Sequence, residues 1–234
     1  MNNSPKMFLQ KIWDLYDSAA MVASVAEQHC DKCVIRGRSH CVASKVEDMF
    51  AELLVLNVGK GARDVVALVD YPVYAGTLCG KRRKIIYPDV MLCIRRGEKR
   101  LQVVHMYELK VNAGWMREDP AEYFSKMQDL WEKMSQYASV KIDGAHYKLM
   151  FSDNVKYDLV IVSSVCNDQE RAFSHVEEMR TRGEGRFGGW ILSDCELNPK
   201  YAKDPINGRE YLEPNADFPE MLNGLAKEVA GYLK

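Results

Sequence analysis

No apolar run in this 234-residue chain approaches the roughly 20 residues needed to cross a bilayer, so no membrane-spanning helix is expected. The opening segment, "MNNSPKMFLQKIWDLYD", lacks the apolar centre of a signal peptide and carries charge throughout, which makes a cytoplasmic protein the expectation. Excess charge is missing too. The 32 Lys and Arg against 33 Asp and Glu leave a net −1, which speaks against a histone-like or tail-driven nucleic-acid binder. A local basic groove is still allowed, because steering depends on where charges sit. The seven cysteines are odd in number and scattered, which argues against a disulfide framework. There is no internal repeat, low-complexity segment, domain linker or P-loop. Gly183-Glu184-Gly185 and Gly188-Gly189 lack the strand–turn–helix setting of a dinucleotide loop, so no nucleotide cofactor is expected.

What is present suits a single domain with a substantial core: 47% hydrophobic and 28% charged residues. Residues 5–27 predict a helix with an apolar stripe through Phe8, Trp13, Leu15 and Met21. "SKVEDMFAELLVL" predicts a second, with Val46, Met49, Phe50, Leu53 and Leu54 on one side. "DVVALVDYPVY" and "YDLVIVSSV" read as buried strands. Between them "DPAEYFSKMQDLWEKMSQYA" is a helix capped by Asp119 and Pro120. Its Tyr123, Phe124, Met127, Leu130, Trp131 and Met134 read as core rather than as a base-stacking platform. "NDQERAFSHVEEMRTR", capped by Asn167, is a further helix, followed by a Gly-rich loop, the strand "GWILS" and a last amphipathic helix. The pattern is an α/β domain, a central mixed sheet flanked by helices.

Residues 87–112, "YPDVMLCIRRGEKRLQVVHMYELKVN", pattern as a buried hairpin that nevertheless holds Asp89, Glu108 and Lys110. Alternation puts Glu108 and Lys110 on one face, with Leu101, Val103, His105, Tyr107, Leu109 and Val111 on the other. A two-residue type II′ loop at Gly97-Glu98 would set Val90 opposite His105, Leu92 opposite Val103 and Ile94 opposite Leu101. In that register Asp89 faces Met106 and is a diagonal neighbour of Glu108, about 7–8 Å away at Cα. Two carboxylates so placed can share a hard divalent ion such as Mg²⁺, and Lys110 beside it can position or deprotonate a water. The plain alternative is a solvated acid–lysine cluster on a half-exposed sheet.

Pro88-Asp89 followed by Glu108-Leu109-Lys110 resembles the PD-(D/E)xK nuclease signature, and residues 44–165 reproduce that family's core order, αβββαβ. The resemblance implies a restriction-endonuclease-like core with extra N- and C-terminal helices. It divides a single nuclease domain, 1–234, into an N-terminal helix and Cys/His loop (1–43), a catalytic core (44–165) and a helix–strand–helix extension (166–234). It further implies Mg²⁺-dependent hydrolysis of phosphodiester bonds, with Mn²⁺ able to substitute. Asp89, Glu108 and the Leu109 carbonyl would hold the metal, Lys110 would act on the attacking water, and Glu47 would hold a second metal or a metal-bound water. By analogy of fold and length, the expectation is a homodimeric type II restriction endonuclease acting on double-stranded DNA. A structure-selective repair, junction-resolving or phage nuclease is the alternative within the fold, and a silent DNA-binding protein the alternative outside it. Ser44-Lys45-Val46-Glu47 also fits a capping box, which would occupy Glu47 at a helix start, with Asp48 and Glu52 as substitute acids.

Two other groups bear on partners. "HCDKCVIRGRSHC" holds His29, Cys30, Cys33, His40 and Cys41, but the spacing after Cys30-x-x-Cys33 is not that of a zinc site, so reduced thiols in a loop are expected. Lys81, Arg82, Arg83 and Lys84, just before Asp89, and Arg180, Arg182 and Arg186 in the Arg/Gly loop are the residues expected to meet DNA phosphates or a groove. Arg95, Arg96, Lys99 and Arg100 at the hairpin turn read as solvated charge.

Overall fold

The structure, a computed structural model, describes residues 4–29, 40–58, 64–76, 84–165 and 169–233. Its helices are α1 (Pro5–His29), α2 (His40–Asn57), α3 (Pro120–Gln136), α4 (Gln169–Arg182) and α5 (Asp217–Tyr232). Its strands are β1 (Val65–Val69), β2 (Val73–Ala75), β3 (Lys84–Ile86), β4 (Val90–Arg95), β5 (Arg100–Asn112), β6 (Ala138–Ile142), β7 (Ala145–Ser163) and β8 (Phe187–Ser193). The strands form one mixed sheet in the order β1-β4-β5-β7-β6-β2-β3, with β8 also on β7. β5, β7 and β8 run parallel and the other pairs antiparallel. The chain is therefore an α/β protein with a mixed sheet flanked by helices. α3 and α4 cover one face and α1, α2 and α5 the other, each face with its own apolar core. Among the described residues no helix is long and apolar enough to cross a membrane.

Local chemistry explains α3 well. Asp119 accepts the Glu122 amide at 2.9 Å, Pro120 needs no donor in the first turn, and Tyr123, Phe124, Met127, Trp131 and Met134 all lie in the core. The capping box at Ser44 is overturned: α2 already begins at His40, which leaves Ser44 inside the helix. "DVVALVDYPVY" is not one strand either. Asp70 takes a left-handed φ of 45° and breaks it into β1 and β2. The short strands β3 and β6 and the first half of β7 had no signature beyond their length. Asn167 lies outside the described residues.

That break bends the sheet. β1 and β2 are five strand steps apart, about 24 Å across a flat sheet, yet Val69 and Val73 are joined by a chain that reaches at most about 15 Å. β3 and β4 carry the same constraint through Ile86 and Val90. The sheet must curl, and two irregularities permit it. Val104 is an extra residue in β5 between the pairs Leu92–His105 and Cys93–Val103. On the β7 side, residues 152–155 stand against that single Val104. The wing formed by the start of β7 with β6, β2 and β3 thus wraps round the α3 core and brings Tyr71, Pro72 and Tyr87 back towards the end of β1 and the start of β4.

Candidate active site

The Val104 bulge also decides which residues meet. The expected type II′ turn is replaced by a longer loop in which Arg96 and Arg100 close the hairpin and Gly97 and Lys99 take positive φ values, 65° and 55°. The register beyond the bulge then pairs Val90 with Tyr107, Met91 with Met106 and Leu92 with His105. This overturns two expectations. Leu101 and Val103 lie on the α3 side, whereas Val104, Tyr107 and Leu109 lie on the α2 side. Asp89 is moved from beside Met106 to directly across from Glu108, closer than the diagonal that the straight ladder predicts.

At this point the ladder opens. Continuing the register sets Pro88 opposite Leu109, and a proline has no N–H for the Leu109 carbonyl. The Leu109 N–H is taken instead by the Asp89 side chain, donating to Oδ2 at 2.7 Å. In a strand one residue's N–H and C=O point to the same side, so the Leu109 carbonyl also faces Asp89. On the α3 side of β5 the Lys110 Nζ donates to Glu108 Oε1 at 2.7 Å and lies 3.6 Å from Asp89 Oδ2. The Tyr157 hydroxyl donates to Glu108 Oε2 at 3.1 Å. All three hairpin side chains keep an opening to solvent, 20% for Asp89, 21% for Glu108 and 26% for Lys110.

Glu47 reaches the same region from α2. Burial pushes its carboxyl up to about 7, helped by Asp89, then by Asp70, against the opposing pull of Lys110. Burial, then the Glu108 charge, pushes Asp89 up to about 6, with Lys110 and the Leu109 N–H pulling the other way. Burial alone would lower Lys110, but Glu108 and Asp89 outweigh it and keep the ammonium charged. Asp48 and Glu52, the substitute acids, pair instead with Lys45 at 3.2 Å and Lys11 at 3.7 Å.

Sequence reasoning missed Asp70. Its amide donates to the Asp89 carbonyl at 2.9 Å, and its carboxylate acts on Glu47. An acid in a turn between two apparent strand halves gives little signal until the sheet curls.

Acids outnumber the one ammonium here: Asp89 and Glu108 share Lys110, and Glu47 feels Asp89, Asp70 and Glu108 against that single cation. An all-oxygen donor set of two carboxylates and a strand carbonyl, in excess negative charge, suits a hard divalent cation. Among the described residues, no three or more His, Cys, Asp or Glu side chains are grouped closely enough to hold an ion by themselves. Asp89, Glu108 and the Leu109 carbonyl fit a metal that also keeps water ligands.

The proposed DNA contacts are not gathered here. Lys84 lies exposed at the start of β3 near Asp129 of α3, and Lys81, Arg82 and Arg83 lie outside the described residues. Arg180 donates to the Gly189 carbonyl at 2.8 Å and pairs with Asp217, tying α4 to β8 and α5. Arg182 lies over Phe124 and pairs with Glu178, and Arg186 lies over Trp131. Arg182 and Arg186 line a separate open cavity of about 1150 Å³ that contains none of Glu47, Asp89, Glu108 or Lys110. Residues 30–39, with Cys30 and Cys33, lie outside the described residues. No protein-family model, curated protein or solved structure matches the chain.

Proposed function

We propose that the chain is a metal-dependent phosphodiesterase of the restriction-endonuclease-like class. Within that class, we read it as an endonuclease that cuts duplex DNA, most simply as a homodimeric type II restriction enzyme. The observation that supports the class is the opened end of the β4–β5 ladder. There the arrangement of Pro88, Asp89, Glu108, Leu109 and Lys110 is compatible with the roles that the resemblance to the PD-(D/E)xK pattern implies for the two acids, the Leu109 carbonyl and the lysine. Pro88 withholds an N–H, Asp89 and Glu108 offer carboxylate oxygens, Leu109 turns its carbonyl towards them, and Lys110 lies between the two acids.

Mg²⁺, or Mn²⁺ in its place, would be held by Asp89, Glu108 and the Leu109 carbonyl, and would supply charge neutralisation at phosphate and an activated water. The Lys110 ammonium, charged and within reach of both acids, orients the attacking water and stabilises charge on the phosphate oxygens. Tyr157, whose phenol burial and then Glu108 keep protonated, holds Glu108 in its rotamer. Glu47, with its carboxyl near 7, can hold or release a proton at the rim of the site.

The test is cleavage of long duplex DNA by the purified chain in Mg²⁺ and in EDTA, beside Lys110→Ala. Mg²⁺-dependent fragments that fall by about 10²–10⁴-fold in the variant are expected. Equal cleavage by the variant would remove Lys110 from the mechanism. Discrete bands would favour restriction, and cutting confined to branched DNA would favour a resolving enzyme.

A further inference from the structure

The curl of the sheet exposes the outer face of its wing, and that face has a marked composition. Leu101 of β5, Leu149 of β7, Val140 of β6 and Val73 of β2 point into the α3 core. The alternate positions therefore point outwards, and among them Arg100, Lys141, His146 and Lys148 are exposed. Register aligns them: Arg100 faces Lys148 across β5–β7, Lys148 faces Ser139 across β7–β6, and Lys141 faces His146. The Lys99 carbonyl accepts the Lys148 amide at 2.9 Å, so the hairpin turn is fixed beside this row.

Like charges directly opposite one another in a sheet are destabilising. Here Arg100 faces Lys148, and neither they nor Lys141 has an ion-pair partner among the described residues. The nearby acids Glu98 and Asp143 are confined to the turns at the strand ends. At the β6 end of the row, beside Lys148, the Ser139 hydroxyl is buried and has no hydrogen-bond partner among the described residues. Exposed charge that repels itself with no internal compensation calls for an anionic partner.

We infer that this wing face, with Arg100, Lys141 and Lys148 as its cations, is a second nucleic-acid contact surface that grips the phosphate backbone away from the acid cluster. The inference rests on the nucleic-acid reading above and extends it to a surface. Neighbouring strands lie about 4.8 Å apart, so Arg100 and Lys148 sit side by side with Lys141 two residues further along β6, a spacing of the same order as the charges along one DNA strand, one per about 3.4 Å of axis. A membrane partner would want an apolar rim for insertion, and among the described strand residues of this face Ile85 alone is an exposed large apolar one.

The experiment is fluorescence anisotropy of a labelled 30-base-pair duplex in EDTA across a salt series. It compares wild type, Lys110→Ala, the triple variant Arg100→Gln/Lys141→Gln/Lys148→Gln, and Arg100→Lys/Lys141→Arg/Lys148→Arg as the charge-preserving control. The triple Gln variant should bind more than tenfold more weakly at moderate salt, with the slope of log K against log salt reduced by about 2.7, three lost phosphates at about 0.9 each. The charge-preserving control should bind like wild type. An unchanged slope and affinity in the Gln variant would overturn the inference even if the wild type cuts DNA. So would duplex binding by neither protein with both bound to vesicles of anionic phospholipid. Conversely, charge-dependent binding without any Mg²⁺-dependent cleavage would leave the surface standing and sink the nuclease reading.

Discussion

Pro88 shows how a single missing atom shapes the site. The β4–β5 ladder would close at Leu109 if position 88 offered an N–H, and closing it would take the carbonyl that faces the acids. Pro88→Ala is therefore expected to fold normally while needing a severalfold higher Mg²⁺ concentration for half-maximal cleavage. A Mg²⁺ titration of the variant measures this, and an unchanged midpoint would show that the carbonyl plays no part. Lys110 is the converse case, an added cation. One ammonium partly neutralises several carboxylates, so its loss should push Asp89 still further above its already raised value of about 6.

At the scale of elements, α3 is defined locally and β5 is not. Asp119 caps α3 through the Glu122 amide at 2.9 Å, and Asp119→Ala should cost about 1 kcal/mol, read as a lower urea midpoint. Because the helix also buries Trp131 and Met134, the fold should survive the change. β5 depends on its bulge instead. Alternation assumes an unbroken strand, and Val104 resets the phase halfway along it. The faces assigned from the sequence therefore hold for Tyr107 to Lys110 and fail for Leu101 and Val103, while the loop is one residue longer than a type II′ turn. Nothing in "RGEKRLQVVHMYELK" marks Val104 as the extra residue. It is settled by fitting both halves of β5 against β7.

Across the whole molecule the opposite face of the sheet carries a buried charge network that fastens α5. His105 lies 3.0 Å from Asp158 with Nε2 and 3.0 Å from Glu228 of α5 with Nδ1, and Glu228 also pairs with Lys156. Burial would lower the imidazole, but the two carboxylates outweigh it and raise it to about 9. A folded-state value above the unfolded one contributes stability that is complete below about pH 6.5 and is lost as pH rises through about 9, on the order of 3 kcal/mol. Wild-type stability to urea should thus fall between about pH 7 and 10, while His105→Gln, less stable at neutral pH, should show a flatter profile over that window. Parallel profiles would mean that His105 is neutral in the folded protein.

Local chemistry determined much of this protein by itself. Apolar periodicity places α1, α2, α3 and α5, Asp119-Pro120 starts α3, and Asp89, Glu108 and Lys110 are visible as charges inside a buried hairpin. These depend on residues a few positions apart, where chain connectivity dictates neighbours. The curl of the sheet, the direct Asp89–Glu108 alignment, the arrival of Asp70 and the cationic wing face were decided only by tertiary structure. Each follows from pairings between strands distant in sequence, where one bulge residue or one left-handed turn redirects every side chain that follows.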